Sequence, residues 1–236
     1  MRLEQVLFSQ GFGTRHECRG LIVLGRVMFE GVQMTDPDQE VEPVGAMFSV
    51  DGKVWPYYEK ALVLLKKPAG YECSQKPLHH PSVMTLLPVP MRVRGLQPVG
   101  RLDADTTGLL LLTDDGALQH RLTHPKKHVA KRYRVICKHS YSQKTVDDLL
   151  QGVMLVDEKT ALRAQEVIKI DDRTLDMVIT SGKYHQVKRM VAAAGNRVES
   201  LERVAFGDLT LPHDLAPGRW MWLSGIEDVL SKNKAK

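Results

Sequence analysis

Cysteine is scarce in this chain of 236 residues: Cys18, Cys73 and Cys137 are the only three, and they lie far apart. An odd, scattered set builds neither a disulfide framework nor a cysteine-rich zinc site, so the thiols are expected to stay reduced. Long apolar runs are missing as well. Ala61 to Leu65 and Leu109 to Leu112 are among the longest, far below the roughly 20 residues that a membrane-spanning helix requires. The opening residues lack the basic, apolar and small-residue succession of a secretory signal, since Arg2 and Glu4 flank the first leucine. The expectation is a soluble, cytoplasmic protein, and the lack of a heptad pattern or obvious apolar face points to a monomer.

What is present is a globular composition, 43% hydrophobic and 26% charged, at a length that allows one large domain or a large and a small one. The net charge of +5 is unevenly spread. Residues 1 to 58 hold five Lys/Arg against eight Asp/Glu, a net of −3, so the remainder carries +8. Acid then disappears altogether: from Gly116 to Val146 there are eight Lys/Arg, four His and no Asp or Glu. A cationic stretch of this length points to a polyanionic partner. Its centre, His124-Pro125-Lys126-Lys127-His128-Val129-Ala130-Lys131-Arg132-Tyr133, mixes basic groups with one aromatic, a composition suited to phosphate contacts and base stacking. His120, His124 and His128 share a metal-like spacing of four, but Pro125 breaks the helix that would align them.

The N-terminal stretch has the pattern of two short helices. Leu3, Val6 and Leu7 share a face; Thr14 and Glu17 have capping-box spacing, and Gly25 is placed to end a helix over Arg15 to Leu24. Arg15 and Arg19 are helical neighbours opposite Cys18, Leu21 and Ile22, and Arg26 follows. The helix pair with the turn-strand Val27 to Val32 resembles the S4 RNA-binding domain, which would put RNA on the Arg15, Arg19 and Arg26 edge; the same arginines would also suit a solvated helix face. The acidic run from Asp36 to Glu42 excludes a uniformly basic module.

Residues 51 to 60 contain Asp51-Gly52 and Pro56, after which the apolar pattern restarts at Ala61. The predicted domains are therefore 1–58, an S4-like module with its linker, and 59–230, with a basic tail over 231–236. Beyond the boundary, strands are expected over Ala61 to Leu65, Gly108 to Thr113, Tyr133 to Lys138, Ala164 to Ile170, Thr174 to Thr180 and Val198 to Ala205. Helices are expected over Thr145 to Gln151 and Tyr184 to Ala194. Their order is no strict alternation, so the predicted class is α+β, with a mixed, largely antiparallel sheet and flanking helices.

Three constellations carry chemistry. The first is Gly100-Arg101-Leu102-Asp103-Ala104-Asp105-Thr106-Thr107-Gly108, a glycine-bracketed loop that places a carboxylate beside Arg101 and ahead of an apolar strand. Alone, it is equally the pattern of a turn whose aspartates cap backbone amides. The cationic stretch is the second. The third, Ser181 to Met190, opens a helix with Lys183, His185, Gln186, Lys188 and Arg189, cations at a free helix start that would suit an anion or simply solvent.

Together these segments resemble the RsuA family of pseudouridine synthases. Arg101-Leu102-Asp103 with Thr106 to Gly116 is similar to its catalytic motif, Lys131-x-Tyr133-x-Val135 to its second, and Gly182 to Met190 to its third, followed by Leu201-Glu202-Arg203 and Phe206-Gly207. Lys183 stands where arginine is usual, and Phe206 where an aliphatic residue is usual. The resemblance implies isomerisation of one uridine in ribosomal RNA without cofactor or metal. Asp103 would be the nucleophile, Lys188 its salt-bridge partner, Tyr133 the stacking group, and Arg101 would hold the flipped nucleotide. RNA contacts are expected from Lys126, Lys127, Lys131, Arg132, His185, Gln186, Arg189 and Arg203. The preferred substrate is 16S rRNA in a partly assembled small subunit; 23S rRNA is the alternative within the family. Outside it stand a non-catalytic RNA-binding assembly factor and a metal-dependent nuclease using Asp103, Asp105, Asp114 and Asp115.

Overall fold

A computed structural model describes residues 1–231; apart from Ser231, the predicted basic tail lies outside the described residues. The chain divides into two compact units. Unit 1 comprises Met1–Ala61, Leu87–Gln97 and Thr113–Asp115, and unit 2 comprises Leu62–Leu86, Pro98–Leu112 and the residues from Gly116 onward. Unit 1 thus includes two short returns of the chain that the boundary at residue 58 assigned to the second domain. No described helix is long and apolar enough to cross a membrane.

In unit 1, α1 (Leu3–Ser9) and α2 (Arg15–Val23) pack on each other and are followed by a four-stranded sheet of order β2-β1-β3-β4. Its strands are β1 (Val27–Phe29), β2 (Val32–Met34), β3 (Met47–Val50) and β4 (Lys53–Pro56). Leu3, Val6, Leu7, Cys18 and Ile22 are fully buried, the apolar faces set by the helical spacing. The Thr14 hydroxyl accepts the Glu17 N–H at 3.3 Å while the Glu17 carboxylate accepts the Thr14 N–H at 2.6 Å, so the capping box forms.

The returning segments lock onto this unit through Arg94, which follows α3 (Val89–Val93). Its nearly buried guanidinium pairs with Asp114 and donates to the carbonyls of Tyr58 at 2.6 Å and Glu59 at 2.9 Å. Asp114 also accepts the Ala61 N–H at 2.8 Å. That carboxylate is committed to the fold, which takes it away from the metal-ligand role weighed for the Thr113-Asp114-Asp115-Gly116 segment.

Unit 2 is built on one sheet of order β13-β5-β7-β11-β8-β10-β9. The strands are β5 (Leu62–Lys67), β7 (Thr107–Thr113), β8 (Lys131–Cys137), β9 (Glu166–Lys169), β10 (Thr174–Ile179), β11 (Val198–Phe206) and β13 (Trp220–Trp222). The two-residue strands β6 (Gln97–Pro98) and β12 (Leu209–Thr210) lie off this path. β7 and β11 run parallel; β11, β8, β10 and β9 are antiparallel in turn. Helices α4 (Gly116–Thr123), α5 (Gln143–Gln151) and α6 (Gln186–Ala193) flank the sheet. α4 stops before Pro125, whose ring cannot continue a helix. β5 and β7 are apolar at successive positions and are buried on both faces, with Leu62, Leu64, Leu109, Leu111 and Phe206 in one core.

Candidate active site

The loop between β6 and β7 carries Asp103, and three features of the chain hold it. Gly108 enters β7 at φ +101°, a conformation open to glycine, and a Cβ there would lie 2.3 Å from the Arg203 carbonyl oxygen. The parallel contact of β7 with β11 therefore depends on the missing side chain. Behind the loop, the fully buried Lys67 donates from Nζ to the carbonyls of Pro68 at 3.0 Å, Ala104 at 3.1 Å and Thr106 at 2.8 Å. Burial depresses the Lys67 pKa, an effect that the charges at Cys73, Asp105 and Asp103 oppose. The Thr106 N–H closes the turn onto the Asp103 carbonyl at 3.1 Å.

α6 supplies the counter-charge. Lys188 Nζ lies 3.0 Å from Asp103 Oδ2 and 2.7 Å from Asp105 Oδ1, and His185 Nε2 is 3.4 Å from Asp103 Oδ1. Burial alone would lower the Lys188 pKa, but its hydrogen bonds and charge pairing with the two aspartates outweigh that and raise it. Burial would likewise raise the pKa of Asp105; the Lys188 hydrogen bond and charge bring it below the ordinary value. His185 caps α6 from the left-handed region at φ 47°, its ring stacked 3.8 Å from that of Tyr184. The helix consequently begins at Gln186, two residues after the predicted start.

Tyr133 lies on β8, whose alternation turns Tyr133, Val135 and Cys137 inward. It lines a small cavity of about 80 Å³ with Arg101, Asp103, Thr106, Lys188 and Leu201. The Thr106 hydroxyl there is buried and has no hydrogen-bond partner. Asp103 and Tyr133 also border an adjoining cleft of about 470 Å³, which extends to Lys131, Arg203 and Phe206. The site is thus a carboxylate, an ammonium and a phenol around a recess, opening into a cation-rich cleft large enough for a ligand of nucleotide size.

The family described as RNA pseudouridylate synthase matches residues 61–193, the stretch from β5 to α6 that builds this site. The chain belongs to the RNA pseudouridylate synthase family. It is 38% identical to the uncharacterized RNA pseudouridine synthase YtzG of Bacillus subtilis, over 96% of each chain. It is also 38% identical to ribosomal small subunit pseudouridine synthase A of Yersinia pestis, again over 96% of each. Among solved structures, one described as a crystal structure of pseudouridylate synthase superposes at a TM-score of 0.67 with 31% identity, covering 95% of this chain and 96% of that one. The protein is a pseudouridine synthase, an isomerase of uridine in RNA.

The residues expected to contact RNA in this synthase fall into separate groups. Lys126 and Lys127 are exposed on a 3-10 turn after α4, and Arg101 is exposed beside Asp103. Arg132 leaves the expected strip: one step along β8 from Tyr133 it faces the other way, pairing with Glu166 at 3.1 Å in a groove on the opposite side of the sheet. Gln186 is buried, its amide donating to the Ser181 hydroxyl at 2.8 Å and accepting the Lys183 N–H at 2.9 Å, so it shapes the loop while lining the recess beside Asp103. Arg189 is drawn to Asp157 and donates to the Tyr184 carbonyl at 3.1 Å.

Lys131 and Arg203 belong to the wall of the cleft, which Pro125 also lines. In unit 1, Arg19 is bidentate to Asp38 at 2.8 and 2.7 Å, and Arg26 to Asp51 at 2.6 Å through both contacts. Asp38 of the acidic run and Asp51 beyond it thus neutralise two arginines of that edge, leaving Arg15, which lies 5.3 Å over the Phe8 ring. Lys67 and Thr106 were not singled out from the sequence. A lysine that ends an apolar strand directly after Lys66 carries no local signal that its ammonium turns inward, and an orphaned hydroxyl exists only once the cavity does. Among the described residues, no three His, Cys, Asp or Glu are grouped so as to hold a metal ion.

Proposed function

We propose that this synthase acts on a single uridine of small-subunit ribosomal RNA, flipped from the stack into the recess beside Asp103. The observation that carries this reading is the convergence of Asp103, Lys188 at 3.0 Å and Tyr133 on one recess. In the reaction the N1–C1′ bond of the uridine breaks, the uracil turns while bound, and a C5–C1′ bond forms. The C5 proton leaves and N1 gains one, so the product is an isomer and no outside reactant is consumed. Asp103 acts at the ribose, either by attacking C1′ or by supporting a glycal-like path. Lys188 fixes its carboxylate, and Tyr133 stacks on the base near C5. Arg101, exposed beside the loop, holds the extruded nucleotide.

Extruding a base costs a few kcal/mol, which exposed Lys126 and Lys127 offset by contacting backbone phosphates. The small-subunit assignment rests on the relatives named for that substrate, and a partly assembled subunit offers the target strand before it is buried. Unit 1 is read as an S4-like RNA-binding module presenting Arg15.

The test is primer extension on carbodiimide-modified rRNA from cells with and without the gene, complemented by wild type or Asp103→Asn. A stop in 16S rRNA should vanish on deletion, return with wild type and stay absent with the variant. A stop lost from 23S rRNA instead would overturn the substrate, and wild-type conversion by Asp103→Asn would overturn the role of Asp103.

A further inference from the structure

Two cations at the inner end of the cleft have no acid paired with them among the described residues. Arg203 is 2% exposed; its Nε donates to the Leu109 carbonyl at 2.7 Å, while Nη2 is buried without a hydrogen-bond partner. Lys131 Nζ reaches only carbonyl oxygens, those of Val129 at 2.9 Å and Thr180 at 3.5 Å. Both sit over one ring: Lys131 Nζ is 5.6 Å and the Arg203 guanidinium 5.2 Å from the Phe206 centroid. A π face favours a cation without neutralising it.

The neighbours of Lys131 leave the charge open. Across β10 it faces Ile179, and across β11 it faces Phe206, with Arg203 on that strand. The loop 180–185 contributes Lys183, Tyr184 and His185 to the cleft, the loop 100–103 contributes Arg101 and Asp103, the end of α4 contributes Thr123, and the turn after it contributes Pro125. Asp103 is the one carboxylate in this lining, and it is paired with Lys188 at 3.0 Å, with His185 Nε2 3.4 Å from its other oxygen. Burial, with Arg203 adding to it, pulls the Lys131 ammonium down to about 8. A guanidinium cannot release its proton, so this end of the cleft keeps an uncompensated positive charge and an unsatisfied donor. An oxyanion would supply both missing features.

We propose that Lys131 and Arg203 form a binding site for one backbone phosphate of the RNA strand, with Phe206 as its floor. The inference rests on the reading of the Asp103 recess as the seat of the target uridine, since the same cleft joins the two. A phosphate anchored at one end and a base stacked on Tyr133 at the other fix the nucleotide chain at two points. The flipped state is thereby favoured over a merely adsorbed strand.

The site is tested first with sulfate, titrated calorimetrically into the full chain at constant ionic strength. Wild type should bind it, less tightly at pH about 9.5 than at pH about 7 as Lys131 loses its proton. Lys131→Met should weaken sulfate by about tenfold or more, and Lys131→Arg should keep binding while losing the decline with pH. Arg203 is buried and its replacement risks the fold, so the Lys131 variants carry the test. Next, an RNA substrate bearing one methylphosphonate at a time is scanned. One position should cost wild type about tenfold in affinity and cost Lys131→Met nothing. Equal sulfate binding by wild type and Lys131→Met, or no phosphate position that distinguishes them, overturns the proposal. Sulfate binding does not require Asp103, so a fully active Asp103→Asn protein would overturn the catalytic reading and leave this site standing.

Discussion

Three carbonyl oxygens receive the ammonium of Lys67, and two of them belong to the residues immediately after Asp103 and Asp105. Charged donors make the stronger hydrogen bonds, and leaving buried acceptors unpaired costs about 1–3 kcal/mol. Lys67→Met should therefore lower the thermal midpoint by several degrees and, by loosening the loop, lower the single-turnover rate of pseudouridine formation. A drop in the midpoint with an unchanged rate would show that the loop needs no clamp. Lys131 has the opposite energetics, because its charge is paid for by the fold and not repaid within it. Its pKa of about 8 in the folded protein lies below the ordinary 10.4 or so of a free lysine. The penalty is full below pH about 8, where both states are charged, fades as pH rises further, and is gone above about 10.5. Lys131→Met should thus stabilise the protein by roughly 1–3 kcal/mol near neutrality and by nothing at pH about 11, measured by urea unfolding across pH.

At the scale of elements, the site depends on strand β7 reaching β11 closely enough for the Asp103 loop to face α6. Gly108 permits that approach, with its positive φ and no side chain to meet Arg203. Gly108→Ala adds a strained backbone and a clash with a main-chain oxygen, and should cost about 3 kcal/mol or more, read from chemical denaturation. α2 offers a milder case: Thr14→Ala removes one half of the capping box and should cost about 1 kcal/mol. The alternation along β8 separates Tyr133 from Arg132 by one residue and by the whole thickness of the sheet. A basic run in sequence is for that reason not a basic patch in space.

For the whole molecule, the distribution of charge is where the proposed RNA binding is tested. The residues beyond 58 carry the positive excess, while unit 1 pairs Arg19 and Arg26 internally. Affinity for rRNA should fall steeply with salt, and replacing Lys126 and Lys127 together by Ala should reduce the log–log salt slope by about 1–2 while leaving the thermal midpoint within error. An unchanged slope would remove those lysines from the interface. Unit 1 in turn depends on Arg94, whose loss would leave Asp114 and two carbonyls without their partner. Arg94→Met should cost roughly 3–5 kcal/mol.

The elements with strong local signals were legible in the chain. The Thr14 capping box, the alternation or apolarity of the strands, and Pro125 ending α4 are consequences of interactions within a few residues, which sequence spacing records directly. That Asp103, Lys188 and Tyr133 would converge was expected only through the resemblance of their segments to a known family, since each segment alone also fits a turn, a strand or a solvated helix start. What only the tertiary structure decided is which charges meet. Lys188 bridges Asp105 as well as Asp103, Asp38 and Asp51 silence two arginines, and Lys67, Lys131 and Arg203 turn inward. Coulombic pairing and desolvation depend on distances across the fold between residues far apart in the chain. Composition therefore pointed only to a polyanionic partner and the motif resemblance to a synthase, whereas packing alone determined which of the cations lack an acidic partner.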